Sequence, residues 1–144
     1  AMRYAVQRAV KGGLPTVAEC GGFLYLGQQL QGSDGAVFPM AGVLTGTATK
    51  RDRLVRFGYS MLTASRDSLL FRKGEKIPVH EFHYWDSSEN GTDLIVTKPL
   101  TGKSWHCGFV SDRLYAAFPH LYFAGCPRLA ERFIQAAVRY KTER

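Results

Sequence analysis

The eight residues Val17-Ala18-Glu19-Cys20-Gly21-Gly22-Phe23-Leu24 constrain this chain more than any other stretch. Pro15 to Ala18 is short, apolar and partly β-branched, which predicts a strand. Glu19-Cys20-Gly21-Gly22 reads as a sharp turn, and Phe23 to Leu30 as a helix closed by Gly32-Ser33-Asp34-Gly35. Upstream, residues 2–11 place Tyr4, Ala5 and Ala9, and less regularly Val6 and Val10, on one side of a helix that Gly12-Gly13 ends. Helix, strand, tight turn and helix in sequence are the signature of an α/β fold.

A cysteine on a strand-to-helix turn, followed by glycines, makes a nucleophile elbow. The turn exposes the side chain, and the glycines are expected to take up strained dihedrals and admit a substrate closely. The following helix points its positive end at the sulfur, which predicts a shift from thiol toward thiolate. With the Gly21 amide it also offers a site for a developing oxyanion. A merely structural, buried cysteine explains neither the double glycine nor the strand before it.

The middle of the chain is β-rich. Strands are expected at Ala41–Leu44, Leu54–Thr63, Ile77–Tyr84 and Leu94–Thr97, with a turn at Asn90-Gly91, then at Trp105–Val110 and Leu114–Phe118. A final helix from Pro127 to about Lys141 starts with proline in its first turn and carries an apolar stripe of Leu129, Phe133, Ala136, Ala137 and Tyr140.

A thiol nucleophile needs a base, and there are four histidines. His120 is a polar residue in the apolar run Ala116–Phe123, where a general base and a hydrogen-bonded core histidine fit equally well. His80 and His83 flank Glu81. On a strand His80 shares a face with Phe82, and Glu81 shares the other with His83, an arrangement suited to a metal or to a substrate carboxylate and amide. His-Glu-x-His lacks the helical HExxH spacing, which argues against a zinc hydrolase. His106 reads as surface or packing.

Composition narrows the classes further. The net charge of +7 is spread along the chain, and its tightest cluster, Lys50 to Arg56, contains Asp52 and no interleaved stacking aromatics. That is a solvated face or a contact for an acidic substrate or another domain rather than a nucleic-acid surface. The three cysteines are odd in number and lack CxxC spacing, so neither a disulfide framework nor a structural zinc site is indicated, and a reducing cytoplasm suits them. No apolar run approaches the ~20 residues needed to span a bilayer.

Ala18-Glu19-Cys20-Gly21-Gly22-Phe23-Leu24-Tyr25-Leu26 resembles the nucleophile segment of the cobyrinic acid a,c-diamide synthase family. His80-Glu81-Phe82-His83-Tyr84 is similar to a second family motif. Ala116 to Phe123, continued by Ala124-Gly125, Pro127 and Leu129-Ala130-Glu131-Arg132-Phe133, resembles a third that contains the catalytic histidine. The matches run in the family's order over nearly the whole chain. The resemblance implies a class I glutamine amidotransferase domain with a flavodoxin-like α/β layer, spanning 1–144 in part. Cys20 would be the nucleophile, His120 the base, the Gly21 amide an oxyanion donor, and Glu81, His80 and His83 orienting or substrate-contacting residues. Glutamine would be the substrate. Ammonia would pass to a synthetase domain, absent here, that amidates corrin side-chain carboxylates with ATP and magnesium; this chain itself would hold no cofactor and no metal.

The sequence departs from the family pattern in places. Tyr122 stands two residues after His120, where many class I glutaminases have Glu, so the third catalytic member is open. Val79, Trp85 and Phe118-Pro119 are unusual for their motifs. Family domains also begin with further strands, including a glycine-rich loop that donates a second oxyanion amide. The resemblance therefore implies an N-terminally truncated domain whose exposed sheet edges invite pairing with another copy. Two other readings remain open: a related amidotransferase such as cobyric acid synthase or another tetrapyrrole diamide synthase, and a non-catalytic module that keeps the fold.

Overall fold

The computed structural model describes residues 1–143, and it begins as the elbow pattern requires. Helix α1 (Met2–Lys11) leads into strand β1 (Thr16–Glu19), and Cys20 turns the chain into helix α2 (Gly21–Leu26). Eleven more strands follow among the described residues: β2 (Gln29–Gln31), β3 (Val37–Pro39), β4 (Thr47–Lys50), β5 (Arg56–Ala64), β6 (Lys76–His83), β7 (Trp85–Ser87), β8 (Leu94–Thr97), β9 (Ser104–Cys107), β10 (Phe109–Ser111), β11 (Leu114–Ala117) and β12 (His120–Leu121). Helix α3 (Pro127–Thr142) follows a short 3-10 turn. The architecture is mixed α/β with a β-rich middle.

The strands form three sheets, ordered β1-β11-β10, β12-β6-β5-β8-β9 and β3-β2-β4-β7. In the first sheet β1 runs parallel to β11, with Glu19 opposite Ala117. The second is antiparallel throughout. The chain leaves β11 for β12 through Phe118-Pro119, which ends one sheet and opens the other. Proline has no N–H to extend the first ladder. The buried Tyr115 hydroxyl donates to the Pro119 carbonyl at 2.8 Å and fixes this corner.

Three expectations need correction. The helix predicted to reach Leu30 stops at Leu26, because Gln29–Gln31 pairs with β3 and β4, and the ladder overrides local helix preference. Ala41–Leu44 is not a strand. Its N–H groups serve the end of α2, Ala41 donating to the Tyr25 carbonyl and Val43 and Leu44 to that of Leu26. These residues read as strand because Ala41, Val43 and Leu44 pack in a core, but the helix end claims their backbone. Finally, Tyr4, Ala5 and Ala137 face solvent; α1 turns Val6, Gln7 and Val10 inward instead.

Two cores result. Leu62, Leu70, Phe71, Ile77, Leu94, Val96, Tyr115 and Leu129 join β5, β6, β8, β11 and α3 in the larger one. Phe23, Leu24, Leu26, Ala116 and Phe118 join α2 to β11 in the smaller. Among the described residues no helix is long and apolar enough to cross a membrane.

Candidate active site

Cys20 has φ +48° and ψ −106°, and it is the one non-glycine residue with positive φ among the described residues. Such a conformation costs ~1–3 kcal/mol and persists only where the surroundings hold it. Here the Cys20 N–H donates to the Ala117 carbonyl at 2.9 Å, and its carbonyl accepts from Leu24 N–H at 3.0 Å. The end of a parallel strand pair and the first turn of α2 thus clamp the elbow from both sides. The strain sits on the cysteine itself; Gly21 and Gly22 have no positive φ. What Gly21 supplies is space, for a Cβ built there meets nothing within 4 Å.

The thiol is not pre-ionised, contrary to the expectation from the helix end. Burial pushes its pKa up, the Gly21 N–H opposes this, and the negative charges of Glu81 and Glu19 raise it further. The helix is only six residues long, and burial, with the two carboxylates adding to it, outweighs its terminal N–H. A thiol held in this way would need a base to take its proton if it is to attack a substrate.

The elbow and His120 are tied together through the backbone. Glu19 Oε1 accepts the Leu121 N–H at 2.8 Å, so the residue before Cys20 anchors the residue after His120. His120 lies opposite His80 in the β12–β6 ladder. Its Nδ1 is 3.0 Å from the His80 carbonyl oxygen. A carbonyl only accepts, so Nδ1 carries the hydrogen and the neutral ring keeps its lone pair on Nε2, the form a general base requires. A backbone carbonyl therefore stands where a catalytic triad has a carboxylate. Cys20 and His120 share no side-chain hydrogen bond among the described residues. His120, His80, Tyr59 and Tyr122 line an open cleft of about 420 Å³.

Strand β6 divides the remaining motif residues as alternation dictates. His80 and Phe82 face outward, with the His80 ring against Tyr59 at 5.0 Å. Glu81, 1% exposed, and His83, 6% exposed, point inward. His83 stacks flat on Phe118, with ring centroids 3.7 Å apart, and its Nδ1 lies 2.7 Å from the Trp85 carbonyl oxygen. Its Nε2 is 3.5 Å from Glu81 Oε1. Glu81 thus faces His83, and the His80 carbonyl takes the place beside His120. His106 is exposed on β9.

Cys107 and Cys126 are buried, and burial pushes the Cys107 thiol up to about 12. Among the described residues no three His, Cys, Asp or Glu side chains converge as a metal-holding group. Sequence reasoning missed the tether role of Glu19, whose signal was its place next to Cys20. It also missed Asn90, which read only as a turn residue.

Residues 1–127 match the family model described as a CobB/CobQ-like glutamine amidotransferase domain. The chain is similar to the cobyrinate a,c-diamide synthase of Caldanaerobacter subterraneus subsp. tengcongensis, 35% identical over 137 residues, which are 91% of this chain and 30% of that protein. It is 34% identical over 142 residues to the enzyme of that name from Salmonella typhimurium, covering 96% of this chain and 30% of the relative. With that of a Synechococcus strain it is 36% identical over 136 residues, 93% of this chain and again 30% of the relative. The chain thus spans about 30% of the length of these curated relatives.

Proposed function

The chain belongs to the CobB/CobQ-like glutamine amidotransferase domain family, and from that premise we propose that it hydrolyses the side-chain amide of glutamine at Cys20 and His120. The observation that carries the reading is the strained Cys20 backbone, held by Ala117 on the strand that leads to His120, whose Nδ1–H is committed to the His80 carbonyl.

The chemistry runs through these groups. His120 Nε2 takes the Cys20 thiol proton, and the sulfur attacks the amide carbon. The Gly21 N–H, already directed at the sulfur, and the open space beside Gly21 receive the developing oxyanion. The C–N bond breaks as His120 returns its proton to the departing nitrogen, releasing ammonia and leaving a thioester. His120 then takes a proton from water, which attacks the thioester; the thiol is restored and glutamate leaves.

The relatives' names extend the proposal. Ammonia serves an ATP-dependent amidation of the a- and c-carboxylates of cobyrinic acid or its cobalt-free counterpart. ATP and magnesium are placed with the length of the relatives that this chain does not span. In this reading the β1–β11 layer, with α1 and α2, belongs to a flavodoxin-like class I arrangement. The test is labelling of Cys20 by 6-diazo-5-oxo-norleucine, read by mass spectrometry on this chain and on His120→Ala. Labelling confined to Cys20 and weakened by His120→Ala is expected; no labelling, or labelling indifferent to His120, refutes the dyad.

A further inference from the structure

A cavity of about 60 Å³ lies against Phe118, lined by Glu81, His83, Asn90, Arg56 and Asp86 among others. Three of its polar atoms are buried and have no hydrogen-bond partner: Glu81 Oε2, His83 Nε2 and Asn90 Oδ1. Native structures seldom leave such atoms unpaired, since each costs ~1–3 kcal/mol. Three in one cavity indicate a guest.

The orientation of each group is settled by its other contacts. His83 Nδ1 faces the Trp85 carbonyl and must donate to it, so in the neutral ring Nε2 accepts. Asn90 Nδ2 donates to Asp86 Oδ1 at 3.0 Å, which leaves Oδ1 as the free end of the amide. Glu81 offers a carboxylate oxygen. With His83 neutral the three unpaired atoms are all acceptors, with Nε2 facing a further acceptor, Glu81 Oε1, across 3.5 Å, and the guest must be a donor. Of the charged donors on the wall, the Arg56 guanidinium lies over the Trp105 ring at 4.6 Å and donates one Nη1–H to the Val55 carbonyl. Two carboxylates line the cavity against one guanidinium, although Arg51 also reaches to 3.9 Å of Asp86 from outside.

We propose that this cavity is a binding site for one ammonium ion, held by Glu81 Oε2, Asn90 Oδ1 and His83 Nε2. Water has two hydrogens for three acceptors and no charge to set against Glu81. Ammonium has four hydrogens, a positive charge and nearly the size of water. The choice of guest rests on the glutaminase reading, in which ammonia is the product; the acceptor set does not. Phe118 joins the two places: it is a wall of the cavity and packs edge-on against Phe23 of α2, with centroids 5.1 Å apart.

The experiment compares the melting temperature of the chain in ammonium, potassium and sodium chloride at equal ionic strength. It does so for the wild type, Glu81→Gln and Asn90→Ala, with ¹⁵N-ammonium NMR to see the bound ion. The expected result is a rise specific to ammonium, accompanied by a bound resonance, both lost in each variant; if Glu81→Gln fails to fold, Asn90→Ala decides. No ammonium-specific rise and no bound resonance would overturn the site and leave water as the guest. An equal rise in potassium would replace it with a general monovalent-cation site. Labelling of Cys20 by the glutamine analogue is read separately. Ammonium binding without labelling keeps the site and removes the glutaminase reading, and labelling without binding does the reverse.

Discussion

Glu19 performs two separable tasks, and two substitutions pull them apart. Its carboxylate accepts the Leu121 N–H at 2.8 Å, and its charge disfavours the Cys20 thiolate. Glu19→Gln keeps an acceptor oxygen and removes the charge; Glu19→Ala removes both. A hydrogen bond to a charged group contributes ~1.5–3 kcal/mol, and a neutral one ~0.5–1.5. Glu19→Ala should therefore cost about 2 kcal/mol, and Glu19→Gln about half of that. For a chain of this size that is a fall in melting temperature of ~4–8 °C for alanine and ~2–4 °C for glutamine. The electrostatic effect has the opposite sign. Removing a negative charge beside an anion-forming thiol lowers its pKa, so iodoacetamide should modify Cys20 faster at neutral pH in both variants. Cys107 and Cys126 are buried and serve as internal references in the same digest. Labelling by the glutamine analogue should drop in Glu19→Ala, where β12 has lost its anchor, and persist in Glu19→Gln. Equal stability of the two variants would refute the tether, and slower alkylation of Cys20 in Glu19→Gln would refute the electrostatic account.

Other elements give shorter tests. Arg132 pairs doubly with Glu75, at 2.6 and 2.9 Å, and holds its carboxyl down to about 2 from the ordinary 4.5. A depressed folded-state value stabilises above the unfolded one and is lost as pH falls through the folded one, so the contribution is complete above about 4.5 and disappears toward about 2. Urea titrations should show Glu75→Gln less stable by about 2 kcal/mol at pH 6, with the gap narrowing below pH 4.5 and closing toward pH 2. Leu129, fully buried, anchors α3 in the larger core, and Leu129→Ala should cost ~2–5 kcal/mol in the same assay. Gly108 has φ +79°, and a Cβ there would lie 2.6 Å from Leu94 Cδ1, so Gly108→Ala should cost ~2 kcal/mol or more by calorimetry.

The parts legible in the sequence are those where local rules and tertiary demands agree. Gly12 and Gly13, a β-branched strand and Cys20-Gly21-Gly22 specify the opening of the fold by themselves, and β6 follows strict alternation because one of its faces is buried. The His80/Glu81 division between two faces was readable for the same reason. The errors arose where distant backbone claimed a segment. Gln29–Gln31 carries no strand signal, but β3 and β4 supply its partners from later in the chain. Ala41–Leu44 looked like a strand because burial, not pairing, made it apolar. The site has the same asymmetry. Residue types point to Cys20 and His120, but what holds them is backbone chemistry: the Ala117 carbonyl that accepts from the strained cysteine and the His80 carbonyl that faces His120 Nδ1. Main-chain atoms have no letter in the sequence, so neither contact could be read from residue types. It follows that replacing the His80 side chain should leave the His120 tautomer intact. A proline at position 121 should not, because it removes the N–H that Glu19 holds and with it the register between β12 and β6.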